Sequence, residues 1–242
     1  MSDTCYACGA AATSVDHVPP RVLFPEQKDL LADFPDGPPD LRRNLITVPS
    51  CETHNTAQSK DDEYVAFVIA AHWANNGLGT TQWKTKILRA LSRSTALALL
   101  FTASAEKIVF AGVETGRFKI DRPRFDATME KVARGLYFHE TGSVWTEKIR
   151  VHTTAFLLED ADLTSQLRGL MVMARLFLGD PAVAELARSM GWPVLPPIPP
   201  KGENSDVFSY QFSFVPEGRM FAIRMLFYGG FEVVALGAPG LD

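Results

Sequence analysis

Cys5 and Cys8 are spaced as Cys-x2-Cys, and Gly9 follows at once. Cys51 and His54 repeat the spacing as Cys-x2-His. Each pair is a short knuckle with two donors, and two such pairs complete a tetrahedral zinc shell. A glycine after the first pair suits the tight turn that a knuckle needs. The competing reading is a redox Cys-x-x-Cys plus one buried cysteine. That motif belongs at a helix start near a βαβ pattern, and no strand precedes Cys5. The total of 3 cysteines is odd, a poor disulfide framework. Zinc is therefore expected, as a structural ion, because four protein ligands close its shell.

Between the two pairs the chain reads Val15-Asp16-His17-Val18-Pro19-Pro20, then Arg43-Asn44-Leu45. Asn55 directly follows the second pair, and Lys60 comes soon after. Taken singly, these are bland: an Asp-His pair is a surface turn, Asn55 is a helix cap, and Lys60 is a solvated side chain. Order and spacing change the reading. The series Cys5/Cys8/Gly9, Asp16/His17/Pro20, Asn44/Leu45, Cys51/His54/Asn55 and Lys60 resembles the zinc-bearing HNH endonucleases, whose active site is a ββα-metal motif. The resemblance covers about residues 1–65. It departs at His54, where the family more often has cysteine; histidine is a competent zinc ligand.

The resemblance implies a metal-dependent endonuclease that hydrolyses phosphodiester bonds in nucleic acid, DNA rather than RNA. Bacterial defence or a mobile element is the implied setting. His17 is then the base that activates water, and an ordinary pKa of about 6.5 suits that task. Asp16 and Asn55 are implied as oxygen ligands of a catalytic Mg2+ or another divalent cation, a hard ion that also binds phosphate. Asn44 is a supporting residue that braces the loop and helps orient the base. The alternative, from another class, is a non-catalytic zinc-binding module that binds nucleic acid or a protein partner.

These residues need two short strands and a helix to hold them. The first strand and its loop are expected within residues 10–24, where Pro19 and Pro20 forbid helix. Leu45–Val48 is the second strand, and the helix starts near Cys51 or Glu52. Residues 25–43 hold four prolines and one glycine and read as a loop. Tyr64, Phe67, Val68, Ala71 and His72 continue at helical spacing until Asn75-Asn76-Gly77. Residues 1–76 are thus expected as the nuclease unit with its structural zinc.

Residues 77–242 are expected as a helical region followed by a C-terminal antiparallel β-meander, with no assigned role. Thr80–Ala105 reads as one long helix, capped by Thr80 or Thr81. Lys107–Ala111 is a short strand and Pro123–Phe138 a helix with the stripe Phe125, Met129, Val132, Ala133 and Leu136. Residues 148–158 alternate like a strand, and two helices are expected at 160–178 and 181–190. After the proline-rich stretch 193–200, three strands follow at 207–214, 220–228 and 231–236. The alternating Phe208, Tyr210, Phe212 and Phe214 read as core rather than a base-stacking platform. His72, His139 and His152 read as packing or surface residues. The fold class is therefore α+β.

Charge is unevenly spread along the 242 residues. Residues 1–64 carry 5 basic and 11 acidic side chains, residues 65–150 carry 13 and 7, and residues 151–242 carry 6 and 10. An acidic nuclease unit repels a polyanion, so substrate contact must come from the middle segment. Lys86, Arg89 and Arg93 share a helix face there by their spacing and are the expected nucleic-acid contacts. A possible oligomer, or a regulatory or immunity protein, could complete the surface. No run approaches the ~18 apolar residues of a membrane span. The first residues carry no secretory pattern, so a cytoplasmic protein without membrane partners is expected.

Overall fold

The computed structural model describes residues 4–55, 59–103, 105–110, 112–156 and 161–240. The chain starts with a turn at 5–8 and strand β1 (Ser14–His17), then a 3-10 turn at Arg21–Leu23 and one turn of helix, α1 (Gln27–Leu30). Strand β2 (Thr47–Ser50) pairs antiparallel with β1, placing His17 opposite Thr47 and Ser14 opposite Ser50. Helix α2 (Glu52–Asn55) is a single turn, and α3 (Ser59–Ala70) carries the buried run Tyr64–Ala70.

Four helical pieces replace the single helix expected over 80–105. These are α4 (Gly77–Gln82), a π turn at Trp83–Ile87, α5 (Leu88–Arg93) and α6 (Thr95–Thr102). Asn76, not Thr80 or Thr81, caps the first, its side chain accepting from Gly79 N at 3.1 Å. Ser94 adopts extended dihedrals and breaks the run before α6. A short hairpin follows, β3 (Glu106–Phe110) with β4 (Val113–Arg117).

Helix α7 (Arg122–Thr141) is the longest helix among the described residues. Asp121 caps its start by accepting from Arg124 N, and left-handed Gly142 ends it. Strand β5 (Ile149–His152) comes next and is shorter than the expected 148–158: the chain turns at 154–156, and 157 and 158 lie outside the described residues. Helix α8 (Ala161–Phe177), a 3-10 turn at Pro181–Val183 and α9 (Ala184–Ser189) precede the proline-rich loop. Strands β6 (Phe208–Val215), β7 (Met220–Phe227) and β8 (Phe231–Gly237) complete the chain. The C-terminal sheet is antiparallel in the order β5-β8-β7-β6. The fold is mixed α+β, as expected.

Period-2 alternation gives that sheet two apolar faces. Phe221, Ile223, Met225 and Phe227 join the main core, where Tyr137 of α7 meets Phe214 and Phe221 with ring centroids 5.6 and 5.0 Å apart. Ala222 and Val234 face the other way and pack with Met171, Ala174 and Leu178. The aromatic residues of β6 are thus packed rather than presented to solvent as a stacking platform. The main core also takes in Cys5, Tyr6, Val18, Val48 and Phe67. The sequence boundary at 76/77 therefore runs through one shared core.

Gly135 shows how closely α7 approaches the β1–β2 pair. A Cβ there would lie 2.5 Å from Val18 Cγ2. A glycine inside a helix costs about 1 kcal/mol relative to alanine, and here it lets the helix seat against the residue next to His17. Among the described residues, no helix is long and apolar enough to cross a membrane.

Candidate functional site

Backbone hydrogen bonds shape both knuckles. Cys5 N donates to Ala10 O at 2.7 Å and Gly9 N to Cys5 O at 2.9 Å, with Gly9 at φ 73°. Only glycine enters that region without cost. On the other side, His54 N and Asn55 N both donate to Cys51 O at 3.1 Å, folding α2 back over Cys51. Tyr6 N donates to Pro49 O at 2.9 Å and joins the two knuckles.

The donor atoms of Cys5, Cys8, Cys51 and His54 consequently lie within 4.8 Å of one another. Cys8 Sγ and Cys51 Sγ are 3.9 Å apart, Cys5 Sγ and His54 Nδ1 3.8 Å, and Cys51 Sγ and His54 Nδ1 3.2 Å. Bond lengths of about 2.3 Å to sulfur and about 2.0–2.1 Å to nitrogen give tetrahedral edges of roughly 3.6–3.8 Å. The cluster fits a metal ion of that kind. All three cysteines are free thiols, so the first pair is not a disulfide. Burial alone would raise the Cys5 thiol pKa, but backbone donors from Ala7, Cys51 and Cys8 outweigh it and lower the pKa, which favours the thiolate a metal needs.

His17 ends β1 opposite Thr47, at the far end of the strand from the Ser14–Ser50 pair that adjoins Cys51, and is half-buried. Its ring makes no hydrogen bond among the described residues. Burial and the Arg21 guanidinium lower its pKa, with Asp16 opposing them. Both lowering effects favour the neutral imidazole, the form able to accept a proton.

Asp16 is placed differently from the expectation. It is only 6% exposed. Its Oδ1 accepts from His17 N at 2.9 Å. Its Oδ2 accepts from Tyr6 OH at 3.3 Å and lies 3.0 Å from Lys131 Nζ. Both oxygens are committed, one of them to an ammonium, so this carboxylate does not fit a Mg2+ ligand. Asn55 donates its amide nitrogen to Ser14 Oγ and Val15 O, each at 3.0 Å, and so ties α2 to β1. Among the described residues Asn44 makes no hydrogen bond to His17. It sits at φ 55°, exposed, and donates to Glu203 Oε2 at 2.7 Å, bracing the entry to β2 against the C-terminal region.

Two of the three expected nucleic-acid contacts are already engaged within the chain, although Arg89 stays exposed. Arg89 grips Asp29 through both carboxylate oxygens at 2.8 and 2.9 Å. Lys86 donates to Val22 O at 3.1 Å, and burial lowers its pKa to about 8. Arg93 is exposed and makes no ion pair among the described residues. The wider charge asymmetry has the same explanation. Arg89, Arg124 and Lys131 of the basic middle segment pair with Asp29, Asp61, Asp16 and Asp62 of the acidic first segment. Much of the complementary charge is matched within the chain.

Tyr6, Asp62 and Lys131 escaped the sequence reading. Lys131 also lies 3.5 Å from Asp62 Oδ1, 69 residues away. Burial, with Asp16 nearby, raises the Asp62 pKa to about 6 against the opposing Lys131. In the sequence Lys131 stands next to Glu130 and near Arg134 in a helix rich in charge, so nothing local marked it as the buried one, although a lysine so buried needs a charged partner.

Comparison of the chain with protein-family models, curated proteins and solved structures gives no match.

Proposed function

We propose that this chain is a zinc-stapled nuclease of the HNH type, hydrolysing phosphodiester bonds in nucleic acid, with DNA as the substrate to try first. Zinc at Cys5, Cys8, Cys51 and His54 holds the β1–β2 pair and α2 together and takes no part in the chemistry. His17 takes the proton from the attacking water. The observation that carries the reading is the convergence of those four donors around the strand pair that ends on His17. Asp16 fixes His17 through its backbone N–H, and Asn55 fixes α2 against β1. Of the three proposed contacts, Arg93 is exposed with no ion pair among the described residues, and Arg89 is exposed but paired with Asp29.

The test is nicking of supercoiled plasmid by zinc-loaded protein, with and without added Mg2+. Wild type should nick, and His17→Ala should lose nearly all activity while keeping zinc and fold. Equal rates for the two would end the assignment. A second reading, a non-catalytic zinc module, is favoured by the closure of Asp16 against Lys131. It expects binding of nucleic acid or a protein partner with no cleavage by either protein.

A further inference from the structure

Lys131 reaches the Asp-His pair from a different part of the chain, on α7. It is 6% exposed. Its ammonium stands 3.0 Å from Asp16 Oδ2 and 3.5 Å from Asp62 Oδ1, so it bridges a carboxylate of β1 and one of α3. Tyr6 OH closes on the same Asp16 oxygen at 3.3 Å. The lysine is held in place: Met129, Val132 and Ala133 around it are buried, and Gly135 one turn on packs against Val18. Leaving would strand two carboxylates without their cation in a poorly hydrated site, a costly state.

A divalent ion and this ammonium cannot share the position. Mg2+ needs oxygen ligands at about 2.0–2.1 Å, and repulsion between an ammonium and a dication a few ångströms apart is strong in a poorly hydrated site. We propose that Lys131 supplies the positive charge beside Asp16 that the HNH resemblance assigns to a divalent cation. Lys131 is then a positioning residue: it orients Asp16, and Asp16 orients His17 by accepting its backbone N–H. The assignment of that orientation to catalysis rests on the nuclease reading. The replacement of the metal by an ammonium does not.

The experiment is a Mn2+ titration of zinc-loaded protein, followed by calorimetry and by electron paramagnetic resonance. Mn2+ stands lowest in the affinity series for such ions and leaves the zinc in place. Wild type and Asp16→Asn should bind Mn2+ indistinguishably, because Asp16 offers no site. Lys131→Met should raise Mn2+ affinity about tenfold or more, Asp16→Asn in that background should remove the gain, and Lys131→Arg should behave as wild type. A lysine that served only packing would give no such gain. The proposal is overturned if wild-type protein holds a Mn2+ that Asp16→Asn releases, or if a folded Lys131→Met gains no affinity. Should Lys131→Met fail to fold, the wild-type and Asp16→Asn pair still decides. None of these readings uses cleavage, so they stand apart from the nicking test.

Discussion

The two ends of the molecule reach order by different means. The β1–β2 pair has strands of 4 residues each, about the minimum for a strand. An isolated two-stranded pair is at best marginal in water. Beside the core residues Tyr6, Val18 and Val48, it carries four side chains that could hold a metal ion, a buried ion cluster and the packing of α7. The C-terminal strands β6, β7 and β8 run 8, 8 and 7 residues and bury a dense set of aromatic rings. That sheet carries its own apolar driving force. The candidate site lies at the end where specific contacts supplement the shared core, and the sheet end relies on burial of aromatic rings.

Removing the metal donors should separate the two ends most sharply. Binding free energies of about 10–16 kcal/mol support zinc in finger-type peptides, and that energy is folding energy. Cys8→Ser should therefore strip amide protection from residues 4–55 in hydrogen exchange while β6–β8 stay protected. Equal loss at both ends would mean that the zinc region and the sheet unfold as one unit. Phe221→Ala probes the opposite end. Phe221 is 2% exposed, and truncating a buried phenylalanine costs about 3–5 kcal/mol. Denaturant midpoints should fall accordingly with zinc content unchanged.

Where the ends meet, a smaller effect is expected. Gly135→Ala gains helix propensity of about 1 kcal/mol but overpacks against Val18 at about 1–3 kcal/mol. The net should be a loss of up to about 2 kcal/mol by chemical denaturation, with NMR shifts centred on Val18 and His17. A stabilised variant would show that α7 is free to move away from the strand pair.

A pH effect belongs to the C-terminal end. His152 of β5 is 4% exposed, and burial, with Arg122, lowers its pKa to about 4. The unfolded chain takes up the proton near pH 6.5, the folded chain only near pH 4. Stability tied to His152 is thus full above about pH 6.5 and is lost as pH falls toward 4. Asp62, raised to about 6, works in the opposite direction. Comparing wild type with His152→Gln at pH 7 and 4.5 cancels the Asp62 contribution. Wild type should lose more stability than the variant over that interval.

The same contrast explains what the sequence revealed. Metal donors announced themselves because two knuckles impose a local spacing, and the meander did so because a half-buried strand imposes period 2. Helix α7 was legible from its stripe of Phe125, Met129, Val132 and Leu136. The segment 80–105 was misread because it lacks the breakers that end helices: Ser94 turns the chain without proline or glycine. Strand β3 was legible at 107–111, but its partner β4 reads Val-Glu-Thr-Gly-Arg and carries no apolar alternation. Above all, the basic middle segment looked like a surface for a polyanion, whereas Arg89, Arg124 and Lys131 face acidic partners far away in the chain. Pairing across such separations leaves no trace in local pattern, so Lys131 beside Asp16 had to be seen in three dimensions.

The zinc centre is the claim on which the rest of the site depends, and X-ray absorption at the zinc edge of the purified protein measures it directly. The account predicts one zinc per chain with three sulfur ligands at about 2.3 Å and one nitrogen at about 2.0–2.1 Å, with His54→Ala replacing that nitrogen by a different ligand. A metal-free protein, or one with Cys5 and Cys8 joined as a disulfide, would contradict it.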